Sequence, residues 1–354
     1  MRALISPCDV DPQGAQTESL IVTEPGLLNH PAVAAWGRLG HPPIEPVRIE
    51  VLKDKTKCAV YRLTAVLPEG VHANGHACGG RQSIIAKRTL NRSTQLEWMV
   101  YEKLLRNLPL PSLRLYGFIE ERDCYWLFME EALGEEYCTA NEEHRSLAGH
   151  WLGTVHQRIT ENVAALPDRG PNYYRALLDQ SRDILRQHLP YPLLSAQDVE
   201  VLHTIIAQFD VIESHWNEIE RISAAFTPTL VHGDFVRKNV RVQTSDRALR
   251  LLVFDWENAG FGLPAADLTQ FTGSTVSPEL AAYASANPAV FKKGVSLARI
   301  AAWGRVFRLL ESIRWTTTKM CFKPNDRLIN PMACLRIYTG QIADALAELE
   351  WRSP

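Results

Sequence analysis

From Val47 onward, apolar and polar residues alternate. VRIEV does so, and in CAVYRLTAVL the residues Ala59, Tyr61, Leu63, Ala65 and Leu67 share one face at period two, the spacing of a half-buried strand. The two runs predict an antiparallel hairpin. Residues 82–90, QSIIAKRTL, predict a third strand, β-branched and apolar except for Lys87 near its end. The period then changes: Leu96, Met99, Val100, Leu104 and Leu108 recur at helical spacing through QLEWMVYEKLLRNL, with Ser93 or Thr94 as cap and Pro109 and Pro111 as stop. Two more strands, around 113–120 and 125–130, complete a small lobe of five strands and one helix.

After Gly134 the pattern becomes that of long amphipathic helices, over about 144–160, 173–187, 196–222, 288–314 and 331–351. The exception is 229–255, where short β-rich runs interrupt them. The predicted fold is α+β with two lobes. An N-terminal lobe spans 1–132, beginning with an irregular, Pro- and Gly-containing extension over 1–46 that holds one apolar patch at 32–39. A helical C-terminal lobe spans 133–354 and carries the segment 230–257.

Composition narrows the class. With 354 residues, 46% hydrophobic and 22% charged, the chain reads as an ordinary globular protein. A formal charge of -2 gives no electrostatic footprint for nucleic acid. Apolar runs such as 32–36 and 251–254 fall far below the roughly 18 residues that a membrane span needs. MRALISPCDVDPQG breaks its apolar run at Ser6 and carries Asp9 and Asp11 where a secretory segment would continue, so a cytoplasmic protein is expected. Seven scattered cysteines without a Cys-x-x-Cys pair suggest reduced thiols. His72, His76 and Cys78 lie close together, but no fourth ligand follows at finger-like spacing, and PEGVHANGHACGGRQ reads better as a flexible Gly-rich hairpin loop.

The chemistry concentrates in TLVHGDFVRKNVRVQTSDRALRLLVFDWENAG. Val240–Val242 and Leu249–Phe254 are the apolar arms of a hairpin, and a centre near Arg247 sets Asn239 opposite Asp255. Asp234, five residues before Asn239, can fold a second carboxylate over the same space. Hard amide and carboxylate oxygens suit Mg2+, which takes its other ligands from water and nucleotide phosphates. Phosphoryl transfer needs this division of labour: one Asp accepts the hydroxyl proton, an Asn and a second Asp hold metal, and a strand lysine paired with a helix glutamate meets the phosphates. Lys87 and Glu97 are placed for the last role.

HGDFVRKN followed by VFDWENAGFGLPAADL resembles the signature pair of the aminoglycoside phosphotransferase and choline kinase-like family, which has the protein-kinase-like fold. IIAKR, the LEWMVYEKLL helix, LFMEEALG and SLAGHWLGTVH extend the resemblance over roughly 47–270. It implies Asp234 as catalytic base, His232 as a brace for its loop, and Asn239 and Asp255 as Mg2+ ligands. Lys87 would contact the α- and β-phosphates and Glu97 would orient it, with Glu102 as runner-up. Backbone groups of Glu130, Glu131 and Ala132 would hold the purine of ATP or GTP, and Asp267 would support the catalytic loop.

Two departures stand out. The first turn reads Lys53, Asp54, Lys55, Thr56, Lys57 with no glycine, where kinases cover the phosphates with a Gly-rich loop; Lys55 and Thr56 would substitute by charge and hydroxyl. Trp256 and Glu257 replace Phe-Gly after Asp255, which fits the small-molecule branch. Gly233 precedes the catalytic Asp where protein kinases have Arg, so the expected acceptor is a small hydroxylated molecule, an antibiotic such as an aminoglycoside or a metabolite. Its charge stays open. Asp198, Glu200, Asp210, Glu213, Glu218 and Glu220 would suit a polycation, whereas Lys292, Lys293, Arg299, Arg305, Arg308, Arg314, Lys319 and Lys323 point the other way. Expected partners are the nucleotide and this acceptor, with the protein a monomer or homodimer; the competing reading is a nucleotide-binding pseudokinase.

Overall fold

The computed structural model describes residues 20–22, 26–73, 76–160, 166–245, 248–289, 296–321 and 328–351. In chain order, the first part contains β1 (Leu20–Val22), α1 (Pro31–Gly37), β2 (Glu45–Lys55), β3 (Cys58–Ala73), β4 (His76–Thr89) and α2 (Ser93–Met99), followed by β5 (Leu115–Glu120), β6 (Tyr125–Glu130) and the two-residue β7 (Glu135–Glu136). The main sheet has six strands in the order β1-β2-β3-β4-β6-β5, all antiparallel. Period two shows in the burial. Ala59, Tyr61, Leu63 and Ala65 of β3 join Ile84 and Ala86 of β4, Trp126 and Phe128 of β6, and Trp36 of α1 in one apolar cluster.

Several details differ from the sequence expectation. The stretch expected to be irregular contributes β1, which pairs Ile21 with Glu50 of β2. The segment expected to be a flexible loop is a continuation of the β3–β4 hairpin, with Val71 opposite Cys78 and Ala73 opposite His76. A register shift between Leu67 and Val71 lets the ladder pass the Pro68-Glu69-Gly70 interruption. The helix after β4 is capped by neither Ser93 nor Thr94. Its N-cap is Arg92, and Asn91 Oδ1 accepts from the Ser93 amide at 3.3 Å while Thr94 Oγ1 bonds Thr89 Oγ1 at 2.6 Å. From Val100 to Leu105 the helix widens into a π-turn.

The rest of the chain contains α3 (Glu142–Arg158), β8 (Asp168–Arg169), α4 (Pro171–His188), α5 (Ala196–Ser214), α6 (Trp216–Ser223), β9 (Thr229–Val231), β10 (Val240–Ser245), β11 (Ala248–Val253), β12 (Gly260–Gly262), α7 (Leu280–Ala286), α8 (Leu297–Met320) and α9 (Ile329–Glu348). The helix expected over 196–222 breaks at His215, whose ring Nδ1–H donates to the Val211 carbonyl at 3.0 Å. The helix expected from 288 begins at Leu297. Helices α4 and α8 pack through Tyr174 and Phe307, whose rings stack 3.9 Å apart.

The chain divides into two compact units. Of the described residues, one unit holds those from Leu20 to Tyr137 together with Lys238–Ala259, and the other holds Cys138–Arg237 with those from Gly260 onward. The hairpin β10–β11 therefore belongs with the sheet-rich part, where β10 also pairs with β7, although sequence order alone placed it with the helices. Cys58, Cys124, Cys138 and Cys321 are free thiols, whereas Cys334 is disulfide-bonded, which corrects the expectation of reduced cysteines throughout. Among the described residues, no helix is long and apolar enough to cross a membrane. The N-terminal stretch 1–14, Arg247, and the side chains of His72, His76, Cys78, Lys292, Lys293 and Lys323 lie outside the described residues.

Candidate active site

In the sheet-rich unit, Lys87 stands on β4 between Val60 of β3 and Leu127 of β6. Ile84 and Ala86 face the apolar cluster, so period two turns Lys87 to the other face, where α2 packs. There Nζ meets Glu97 Oε2 at 2.8 Å, Asp255 Oδ1 at 2.6 Å and Glu257 Oε2 at 3.1 Å. The side chains of Lys87 and Glu97 are 7% and 1% exposed. Burial alone would lower the lysine, but Glu97, Asp255 and Glu257 outweigh it and hold Lys87 well above its ordinary value, firmly protonated.

Of the two glutamates considered for the pair, the geometry selects Glu97. Glu102 turns outward and pairs with Arg106 one turn along. Glu257 was not singled out from the sequence; its signal was present in Asp-Trp-Glu, where a short 3-10 turn over Trp256–Asn258 brings the second acid back beside the first.

Asn239 and Asp255 lie at the open end of the β10–β11 hairpin. The register is one residue away from the expected one: Ser245 pairs with Ala248 and Val240 with Val253, so the Phe254 amide donates to the Asn239 carbonyl at 3.0 Å. Asn239 is thus opposite Phe254, and Asp255 follows beyond the ladder in a left-handed conformation, φ 67° and ψ 57°. Asp and Asn are the L-residues that adopt this region most readily. The Asn239 residue is buried and the Asp255 side chain is 30% exposed. Among the described residues, no three His, Cys, Asp or Glu side chains are grouped to hold a metal by themselves. One amide and one carboxylate oxygen are nonetheless a donor set of the hard type that Mg2+ accepts when water and phosphate complete it.

At the expected purine-binding segment, two of the three peptide N–H groups are used by the protein. Glu130 donates to Arg114 O at 2.9 Å and Glu131 to Ser83 O at 3.3 Å. Their side chains are also engaged, Glu130 with Arg114 and Glu131 with Arg62 and Ser83. Ala132 N–H has no acceptor among the described residues. The glycine-free turn is a two-residue connection, Thr56 and Lys57, closed by the pair Lys55 and Cys58, and Lys53 through Lys57 are all exposed.

In the helical unit, β9 delivers the chain to His232, Gly233 and Asp234. Gly233 has φ 76°, which glycine adopts without penalty. The buried Asp267 holds the bend, accepting from the His232 amide at 2.6 Å and the Gly233 amide at 3.1 Å. His156 Nε2 stands 3.8 Å from Asp267, an electrostatic rather than hydrogen-bonding distance. Burial would raise Asp267, but the His156 and His232 rings and the peptide donors hold it below its ordinary value. The Asp234 amide donates to His232 Nδ1 at 3.2 Å, so the ring braces the loop and carries its proton on Nε2 in the neutral form.

Helix α8 approaches this loop through Gly304, where a Cβ would fall 1.8 Å from the Ala265 carbonyl. One turn on, Arg308 Nη2 lies 3.7 Å from Asp234 Oδ1. Glu311 follows on the same helix, with Arg169 Nη1 at 2.6 Å and Tyr173 OH at 3.4 Å. Burial, aided by the negative charges of Asp234 and Asp267, pushes Glu311 up to about 7 against the pull of Arg169 and Arg308. The sequence placed Arg308 in a basic stretch without distinguishing it, and Glu311 carried no signal at all.

The sequence pattern of the APH phosphotransferase enzyme family matches residues 91–303. No curated protein sequence matches the chain. Among solved structures, the chain is similar to spectinomycin phosphotransferase APH(9)-Ia in complex with ADP and spectinomycin, at TM-score 0.58 and 11% identity, over 89% of this chain and 97% of that one. It is also similar to ADP-bound aminoglycoside phosphotransferase APH(2'')-Ib, at 0.55 and 16%, over 84% and 95%. A third is the streptomycin–ATP complex of APH(2'')-IIa, at 0.54 and 13%, over 90% and 97%. These likenesses define the fold as the α+β, kinase-like one of the aminoglycoside phosphotransferases. The chain belongs to the APH phosphotransferase enzyme family.

Proposed function

We propose that this protein transfers the γ-phosphoryl group of ATP or GTP to a hydroxyl of a small molecule. The observation that carries the reading is Lys87, a buried cation held by Glu97 from α2 and Asp255 from the end of β11 in a chain of this family. Phosphoryl transfer is largely positioning and charge stabilisation, and a protonated lysine fixed by carboxylates is the residue that meets nucleotide phosphates. The neighbours' bound ADP and ATP support the nucleotide as donor.

In this reading Asp234 accepts the proton of the acceptor hydroxyl while the acceptor's oxygen bonds to the γ-phosphorus. The bond from that phosphorus to the β,γ-bridging oxygen breaks, and its electron pair leaves with the nucleoside diphosphate. Asp267 and His232 keep the loop in shape, and neither needs to touch the reacting atoms. Asn239 and Asp255 would hold Mg2+, which when bound supplies positive charge against the phosphate oxygens. Lys87 orients the phosphates, Ala132 N–H receives the purine, and Lys55 and Thr56 lie over the phosphate chain.

The test is nucleotide-diphosphate formation by purified protein against aminoglycosides, other antibiotics, sugars and amino alcohols, alongside Asp234→Asn. Loss of turnover by about 10²–10⁴ with nucleotide binding retained is expected for a general base. Turnover indifferent to the substitution would refute the role of Asp234, and nucleotide binding with no acceptor turned over would favour the pseudokinase alternative.

A further inference from the structure

The acceptor's charge is written beside Asp234. If Asp234 is the base, as proposed above, the reacting hydroxyl comes within about 2.6–3.2 Å of its carboxylate. Arg308 Nη2, at 3.7 Å from Oδ1, is then a neighbour of whatever the acceptor carries next to that hydroxyl.

Arg308 differs from the other cations of α8. Arg299 is bound to Glu218, Arg305 lies beside Asp344 and Glu348, and Arg314 bonds Gln180 and Thr318. Arg308 makes no hydrogen bond to any described residue, and its Nη1 is buried without a partner. A guanidinium offers five donors in a fork that matches a carboxylate or a phosphate, so such a group is unfinished without an anion. Among the described residues the carboxylate within 4 Å of it is Asp234, and that is beyond hydrogen-bond length. Glu311, one turn away, is occupied by Arg169.

Four of the six acids that would have suited a polycation are already paired, and the other two, Glu200 and Glu220, are exposed on α5 and α6. Asp198 pairs with Arg336, Glu213 with Arg175 and Arg182, Asp210 with Arg182, and Glu218 with Arg299. A multiply charged amine brought to Asp234 would meet a fixed guanidinium of like sign, a juxtaposition that selects against the wrong partner.

We infer that Arg308 recognises the acceptor, and that the acceptor carries an anionic group, a carboxylate or a phosphate, beside the hydroxyl that is phosphorylated. The inference rests on the transfer function proposed above.

The experiment compares four probes with the full chain and Mg·ATP: glycerate, glycerol 3-phosphate, glycerol and gentamicin, followed by ADP release and by calorimetric binding to protein saturated with a non-hydrolysable nucleotide. The first two separate the carboxylate and phosphate sources of the same charge. An anionic probe is expected to bind and be phosphorylated, with Arg308→Gln raising its KM by about tenfold or more while kcat changes far less, and Arg308→Lys restoring part of the loss. A merely structural arginine would lower kcat and thermal stability without this KM split or its rescue. Preference for glycerol or gentamicin, neither anion binding, or a KM indifferent to Arg308→Gln would each overturn the inference. Asp234→Asn, run in parallel, reports on the transfer reading separately, because ATP turnover unaffected by it would sink that reading whichever probe is preferred.

Discussion

Asp255 Oδ1 lies 2.6 Å from Lys87 Nζ although 168 residues separate them along the chain. One comes from a central strand of the main sheet and the other from the end of a hairpin that folds back onto the same unit. The lysine is both an electrostatic device and a structural commitment, because removing it leaves the buried Glu97 without its counter-charge.

Lys87→Met should therefore abolish transfer and also destabilise the fold by about 3–5 kcal/mol, the cost of leaving a buried carboxylate unpaired. The double variant Lys87→Met/Glu97→Leu should recover much of the stability and none of the activity. Thermal melts beside turnover assays distinguish the two effects.

Glu97→Gln and Glu102→Gln should behave differently although both are on the same helical stretch. Glu97 meets Lys87, whereas Glu102 forms an exposed pair with Arg106. The first should weaken nucleotide-dependent turnover strongly. The second should leave it intact and change stability by no more than about 0.5 kcal/mol.

Asp267 predicts an acid limb. Its carboxyl is lowered on folding, so its stabilising contribution is complete above the unfolded value of about 3.9 and disappears as pH falls through the lower native value. The protein should lose stability steeply below about pH 4. Asp267→Asn should start less stable at neutrality and show a shallower acid limb, and kcat should fall while nucleotide affinity holds, since the donors it satisfies belong to the Asp234 loop. Melts across pH and calorimetry with nucleotide check these outcomes.

Gly304→Ala should damage activity through packing alone. The added methyl would meet the Ala265 carbonyl and Thr269 Oγ1, forcing α8 away from the segment that carries Asp267. A loss of about 1–3 kcal/mol is expected from overpacking. A matching fall in kcat would show that the Arg308 and Asp234 surroundings moved with the helix.

Much of this was legible beforehand. Alternation in β2 and β3 and helical spacing in α3, α4 and α9 reflect one-sided burial, which sequence period reports directly. The grouping of Lys87 with Glu97 and Asp255, and the support of the Asp234 loop by Asp267, were legible because the family resemblance carries those residues in that chain order. What escaped was set by contacts without a period. Strand β1 is three residues long, too short to alternate detectably. The β10–β11 register depends on a single position of the turn, and Ser245 pairing with Ala248 shifts the centre half a residue, enough to move Asn239 from Asp255 to Phe254. Arg308 looked like its basic neighbours because a helix sequence does not say which charges find partners on other elements. Cys334 gave no hint of its bond for the same reason.

The left-handed backbone at Asp255 sets two demands against each other. An L-residue there gives up about 1–2 kcal/mol that glycine would not, yet glycine has no oxygen to offer Lys87. Glycine here would relieve the backbone and withdraw a carboxylate from Lys87 in the same stroke, so a library randomised at this position and sorted by heat resistance reports which of the two weighs more.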